Sequence, residues 1–167
     1  MNKVQIVVTG LAWMGAGIRS IEVVLDELLQ SAQDEIWITV YSIGNLSNRF
    51  FGRIEAVLAR GVKIHLIINR LDTQPEIVVR SLRSLALRYP FFHLYSFEGD
   101  DEMVDLHAKV VVVDNEKALV GSANISFRGW TTNHELAVLI SGPAVNEISK
   151  TVTRLRNSRF CREINYL

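Results

Sequence analysis

A single cysteine, Cys161, excludes an internal disulfide and fits a reducing compartment. No apolar run approaches the roughly 20 residues that a membrane-spanning helix needs. The short run Val4 to Val8 after Met1-Asn2-Lys3 lacks the length and the small-residue cleavage site of a signal peptide. The expectation is a cytoplasmic protein with no stable membrane insertion. Net charge is absent too: 18 Lys and Arg balance 18 Asp and Glu, which removes the global positive field many nucleic-acid binders use for steering. Any grip on a polyanion has to be local. There is no internal repeat, low-complexity segment or linker. What the chain has in quantity is apolar side chains, 49% of its 167 residues, enough for one well-buried core and hence a single domain over 1–167.

Strand-like and helix-like runs alternate along that domain, which predicts an α/β fold, a mixed β-sheet flanked by helices. Residues 4–9 read as a first strand. Ile21, Val24, Leu25, Leu28, Leu29 and Ala32 recur at helical spacing, with Glu22, Asp26 and Glu27 opposite, predicting a helix over 19–33. A strand at 36–41 and a helix from Ser47 or Asn48 to Arg60, stopped by Gly61, come next, then a strand at 62–68. Pro75 suits the first turn of a helix to Arg88, with Pro90 just beyond its end. Further strands are expected at 92–97, 106–114, 117–121 and 135–140, and a closing helix at 143–156. Two basic clusters stand out. Arg80, Arg83 and Arg88 are expected on a solvated helix face, and Lys150, Arg154, Arg156, Arg159 and Arg162 are either another such face or a polyanion contact.

The most informative stretch is His107-Ala108-Lys109-Val110-Val111-Val112-Val113-Asp114, followed after six residues by Gly121-Ser122-Ala123-Asn124. On a strand, side chains two positions apart leave the same face, so His107 and Lys109 are expected to enter one space, with Ala108 and Val110 opposite. A neutral imidazole beside a fixed cation suits attack at phosphorus, the cation holding the phosphoryl oxygens as negative charge develops. Taken singly, these residues have plainer readings: a satisfied histidine, a turn at Gly121-Ser122, a helix cap at Asn124. One imidazole cannot both attack and protonate the leaving oxygen. The other histidines have no lysine two residues on; His65 and His93 are read as structural and His134 as a surface residue.

This spacing resembles the signature of the phospholipase D superfamily, and the order of strands and helices fits that family in outline across most of the chain. The small single-motif bacterial endonucleases of the superfamily are the most similar. The resemblance implies a phospholipase D-like fold and a metal-independent phosphodiesterase without a cofactor, acting through a phosphohistidine intermediate on His107. With one motif per chain, it also implies a homodimer whose composite site holds both copies of His107. Lys109 and Asn124 would bind non-bridging phosphoryl oxygens, Ser122 would add a contact, and Gly121 would allow the close approach. Glu135 matches the family's carboxylate that orients the catalytic imidazole, of its own chain or of the other. Asp114 is assigned a structural role at the turn. Arg128 and Trp130 either line the site, as phosphate or base contacts, or pack.

The motif identifies the bond and not the molecule. A nucleic acid, DNA or RNA, is the expected substrate, because the lipid enzymes of the superfamily usually carry two motifs in a much longer chain. One alternative is a phospholipid hydrolase or transphosphatidylase, to which the apolar loop Leu11-Ala12-Trp13-Met14 would point if it touched a membrane rather than packing. Another is a non-catalytic subunit of a bacterial anti-phage defence complex, since Thr9-Gly10 and that loop are similar to phospholipase D-like proteins encoded with such systems. Glu98-Gly99-Asp100-Asp101-Glu102 is expected to be a solvated connection, with a gate or partner contact as the alternative, and no metal is assigned to it.

Overall fold

Strands that are apolar on both sides form the centre of the molecule, because helices cover both faces there. The computed structural model describes residues 1–13, 15, 17–44, 47–101 and 103–165, with Ser47 and Asn48 described in backbone only. Its strands are β1 (Lys3–Thr9), β2 (Arg19–Ser20), β3 (Glu35–Val40), β4 (Lys63–Asn69), β5 (Phe92–Phe97), β6 (Lys109–Val113), β7 (Lys117–Gly121), β8 (Glu135–Ser141) and β9 (Cys161–Glu163). They form one sheet in the order β2-β1-β8-β7-β6-β3-β4-β5-β9. β3, β4 and β5 run parallel, and β6, β7 and β8 are antiparallel to their neighbours, so the sheet is mixed. The helices are α1 (Ile21–Ser31), α2 (Ser47–Leu58), α3 (Glu76–Arg88) and α4 (Ala144–Arg156).

One face of the sheet packs on α1, α2 and α3, burying Leu25, Leu28, Phe50, Ile54, Leu82 and Leu85 against Val7, Ile38, Ile64 and Leu66. The other face is met by α4, whose Val145 and Val152 join Trp37, Ile67, Tyr95, Val112 and Ala118. Cover is incomplete on that second face: Val4, Ile6 and Leu136, neighbours across β1 and β8, remain exposed. None of the described helices is long and apolar enough to cross a membrane.

Several boundaries differ from the sequence expectation for identifiable reasons. α1 starts at Ile21 because the Ser20 hydroxyl caps it, accepting from the Val23 N–H at 3.3 Å, worth about 1 kcal/mol. Arg19 and Ser20 themselves pair with Val7 and Val8 of β1. Gly61 does end the α2 segment, with a positive φ of 83° and its N–H on the Leu58 carbonyl. β9, unforeseen, pairs antiparallel with β5 and brings Cys161 to the sheet edge. The expected strand at 106–114 is regular only over Lys109–Val113. Its far end turns at Asp114 and Asn115, both with positive φ, as a tight hairpin requires. At its near end the ladder with β3 stops at Thr39 and Val110, so His107 and Ala108 precede the strand.

The basic clusters are largely consumed by ion pairs. Arg80, Arg83 and Arg88 meet Glu76, Asp72 and Glu55. In the C-terminal cluster, Arg159 binds Asp100 and Arg162 binds Glu98, Lys150 binds Glu147, and Arg156 lies over Trp37 and Tyr95. Arg154 of that cluster is exposed, with no ion pair among the described residues, and Glu98 and Asp100 of the acidic loop are held by Arg162 and Arg159. Met14 and Glu102, which belong to the two loops singled out in the sequence, lie outside the described residues.

Candidate active site

The motif residues other than Asp114 gather at one end of the sheet, where β3, β4, β5, β7 and β1 finish and β6 and β8 begin. Register explains the gathering. Lys109 pairs with Gly121, Gly121 with Ala137, and Ala137 with Val7, so these four share one face and one row. A side chain on Gly121 would place its Cβ 2.3 Å from the Ala137 Cβ, so only glycine fits between Lys109 and β8. The next position along β8 on the same face is Glu135, paired with Thr9.

His107 is exposed, on the segment entering β6, and Lys109 is only 8% exposed. Lys109 Nζ donates to the His107 carbonyl at 2.7 Å and lies 2.9 Å from its Nδ1. The Tyr41 ring closes the other side, 4.8 Å from the imidazole centroid and 5.5 Å from Nζ. Behind Lys109 is a cavity of about 40 Å³ with apolar walls that include Ile21, Leu25, Phe50, Leu119 and Trp130. Burial there lowers the Lys109 pKa, and the charge of Glu135 works in the opposite direction. The site thus holds a desolvated ammonium beside an accessible imidazole.

Glu135 accepts from the Ser122 hydroxyl and, at 3.1 Å, from Asn133 Nδ2. Ser122 Oγ in turn accepts from the Leu136 N–H at 3.3 Å. Among the described residues the Glu135 carboxylate makes no hydrogen bond to His107 of its own chain. Asn124 is half-buried, and among the described residues its buried Oδ1 and the buried Oγ1 of Thr9, beside Glu135 in register, have no hydrogen-bond partner. Unsatisfied buried polar atoms are rare and concentrate at functional sites.

The remaining sequence candidates fall elsewhere. Arg128 lies in a π-helical turn (Arg128–Thr132), exposed and, among the described residues, without a side-chain hydrogen bond or ion pair. Trp130 is 4% exposed and packs under the Arg53 guanidinium and against Phe50, so packing accounts for it. His134 is not a plain surface residue: its Nε2 accepts from the Ala12 N–H at 3.2 Å and its ring meets Trp13 edge-on, bracing the loop after β1. Asp114 sits at the opposite end of β6, where its carboxylate accepts the N–H groups of Gln33, Asp34 and Glu35, each at 2.9 Å.

Sequence reading missed the residues that hold the segment entering β6. Asn69 and Thr39 are polar side chains inside apolar strands, and that contrast was the only signal they offered. Arg70, at a positive φ of 41°, places its guanidinium on the Asp105 carboxylate and on the carbonyls of Asp101 and Val104. Hydrogen bonds from Asn69 and then Arg70 hold the Asp105 carboxyl below its ordinary pKa. Around the same end of the sheet, Leu11, Trp13, Met103, Val104 and Phe127 expose large apolar side chains on three loops.

Comparisons with known proteins agree on the fold. The family model described as "Cardiolipin synthase, PLD-like domain" matches residues 25–156. DISARM protein DrmC of Bacillus paralicheniformis is 26% identical over 163 residues, covering 98% of this chain and 67% of DrmC. Cardiolipin synthase A of Pseudomonas aeruginosa is 31% identical over 121 residues, 68% of this chain, and the match spans only 22% of the synthase. Among solved structures, the phospholipase D family member Nuc from Salmonella typhimurium superposes with a TM-score of 0.77 at 20% identity, over 99% of this chain and 100% of Nuc.

Proposed function

The chain belongs to the PLD-like family of the cardiolipin synthase domain, and from that premise we propose that it is a metal-independent nuclease cleaving DNA or RNA through a phosphohistidine on His107. The observation that carries this reading is the pairing of an accessible imidazole with a desolvated lysine, Nδ1 to Nζ at 2.9 Å. The coarser statement, a phospholipase D-like phosphodiesterase fold, rests on the family match and on the structural likeness. Nucleic acid is favoured because the likeness to Nuc covers both chains nearly whole, whereas the match to cardiolipin synthase takes in about a fifth of that longer protein.

In the mechanism, Nε2 of His107 attacks phosphorus while Lys109 and Asn124 hold the non-bridging oxygens. An ammonium donating to Nδ1 leaves the ring proton on Nε2, the tautomer that cannot attack. Substrate must therefore draw Lys109 onto phosphate, and a carboxylate must take Nδ1–H. Within one chain Glu135 is engaged with Ser122 and Asn133. In a homodimer the Glu135 of a second copy, whose carboxylate keeps acceptor capacity beyond its bonds to Ser122 and Asn133, takes Nδ1–H and orients the nucleophile, and a second His107 protonates the leaving oxygen and then activates water. The apolar side chains around the site, Met103 at 90% and Leu11 at 87% exposure among them, support closure by a second copy. Asp114 and Gly121 serve as structure, Ser122 holds the carboxylate, and Arg128 meets the polyanion outside the reacting centre.

A second reading, a non-catalytic subunit of a bacterial defence complex, is favoured by the match to DrmC over nearly the whole chain and predicts no turnover of nucleic acid or phospholipid, with retained binding of nucleic acid or of a partner. One panel separates the readings: single-stranded DNA, duplex DNA, RNA and phospholipid vesicles, each with and without EDTA, for wild type and His107→Ala. Nucleic-acid cleavage that survives EDTA and disappears in His107→Ala is expected. Turnover of lipid alone, or cleavage that EDTA abolishes, would overturn the proposal.

A further inference from the structure

We propose that Thr39 and Asn69 are positioning residues for His107, one buried side chain gripping the main chain on each side of the imidazole. The inference rests on the nucleophilic role given to His107 above. That residue lies between β5 and β6, where none of the described residues is in a strand. A reacting group must be held to within about 0.5 Å of its productive position, and loops do not achieve that by themselves.

Downstream of the imidazole, Thr39 Oγ1 donates to the Ala108 carbonyl at 3.0 Å and accepts from the Val110 N–H at 3.1 Å. Upstream, Asn69 Oδ1 accepts from the Leu106 N–H at 2.8 Å while its Nδ2 donates to Asp105 Oδ1 at 2.9 Å. Every one of these side-chain bonds ends on residues 105–110, with His107 between them. Thr39 is 2% and Asn69 3% exposed, in strands whose other buried residues, His65 apart, are apolar. Polar side chains are disfavoured there unless satisfied, and a valine or leucine would fill either place as well. Packing therefore does not explain them, and the motif segment does.

The device also explains the early end of the β3–β6 ladder. A hydroxyl takes the place of backbone pairing at Ala108, which releases His107 from the pleat of the strand while keeping it fixed. The ring is then free to lie between Lys109 Nζ and Tyr41. A side chain locked in the pleat could not adjust between ammonium and phosphate.

The test uses Thr39→Val, which preserves shape and removes the hydroxyl, Thr39→Ser, which restores it, and Asn69→Ala. With bis(4-nitrophenyl) phosphate as the probe, kcat in Thr39→Val should fall about 100-fold with KM within about threefold, the size of effect a misplacement near 1 Å produces. Thr39→Ser should recover most of that loss. In protein labelled at histidine, the His107 ring resonances should shift or broaden in Thr39→Val and in Asn69→Ala, while those of His65 stay in place. Unchanged kcat in Thr39→Val, or a loss that serine does not rescue, overturns the proposal. If the wild type cleaves no phosphodiester, the nuclease reading fails and the ring resonances decide alone: an undisturbed His107 in both Thr39→Val and Asn69→Ala overturns the positioning role. Should Thr39→Val not fold, Asn69→Ala carries both readouts.

Discussion

Asp114 belongs to the same sequence motif as His107 and Lys109 yet sits at the opposite end of β6 from them. Its carboxylate receives three consecutive N–H groups from the turn between α1 and β3, and its own positive φ starts the β6–β7 hairpin. The motif thereby locks β6, which carries Lys109, to the start of β3, which carries Thr39. Replacement by alanine removes the acceptor from three donors at once, and Asp114→Ala is expected to destabilise the fold by about 2 kcal/mol. Urea unfolding at pH 7 measures this, and the rate per folded molecule should stay near that of the wild type. A variant as stable as the wild type would remove the structural role. Glu135 presents the opposite case: it stands at the site, yet within a single chain it serves Ser122 and Asn133 rather than the imidazole.

Among the elements, the three parallel strands carry a second notable row on the α4 side, away from the motif. Trp37, His65 and His93 are cross-strand neighbours and stack, with centroids 3.9 Å and 4.7 Å apart. Burial lowers the His65 pKa to about 4, and the nearby charges of His93, Lys63 and Arg156 act in the same direction. The unfolded chain titrates near 6.5, so between that pH and about 4 it binds a proton the native state refuses. Stability is then complete above about 6.5, falls as pH drops toward 4, and loses nothing further below. The loss is on the order of 2–3 kcal/mol. Comparing urea unfolding at pH 7 and pH 4.5 in wild type and His65→Phe isolates it; an equal drop in both proteins would rule out this histidine as the source.

At the scale of the whole molecule, the charges cancel and the cations near the site are largely paired. Arg159 and Arg162 are bound to Asp100 and Glu98, so the surface near the acidic loop offers ion pairs rather than a bare cationic patch. The proposed composite-site homodimer makes a quantitative prediction for mixed chains. When equal amounts of wild type and His107→Ala exchange subunits freely, activity should fall to about a quarter of an all-wild-type sample, because only homodimers of wild type hold two imidazoles. Activity near half would mean that each chain works alone. Sedimentation of the wild type should give a dimer mass, and a monomer at assay concentration would refute the shared site.

The order of strands and helices and the motif itself were legible in the chain, because both are written in local terms. Apolar spacing separates α1 from β3, and His107, Lys109, Ser122 and Asn124 fall on one short stretch whose periodicity already points His107 and Lys109 together. The edge strands β2 and β9 were not legible, being two and three residues long and held only by their neighbours in the sheet. Nor were the grips of Thr39 and Asn69, or the engagement of Glu135 with Ser122. Those bonds join residues from 13 to 71 positions apart in the chain. No local pattern encodes such pairs; sheet register brings them to one end, where buried polar groups must find partners. The sequence alone determined the family and the spacing that brings His107 to Lys109, because both are local. The tertiary structure decided how the segment carrying the imidazole is held and that Glu135 meets Ser122 and Asn133, because sheet register joins residues distant in the chain.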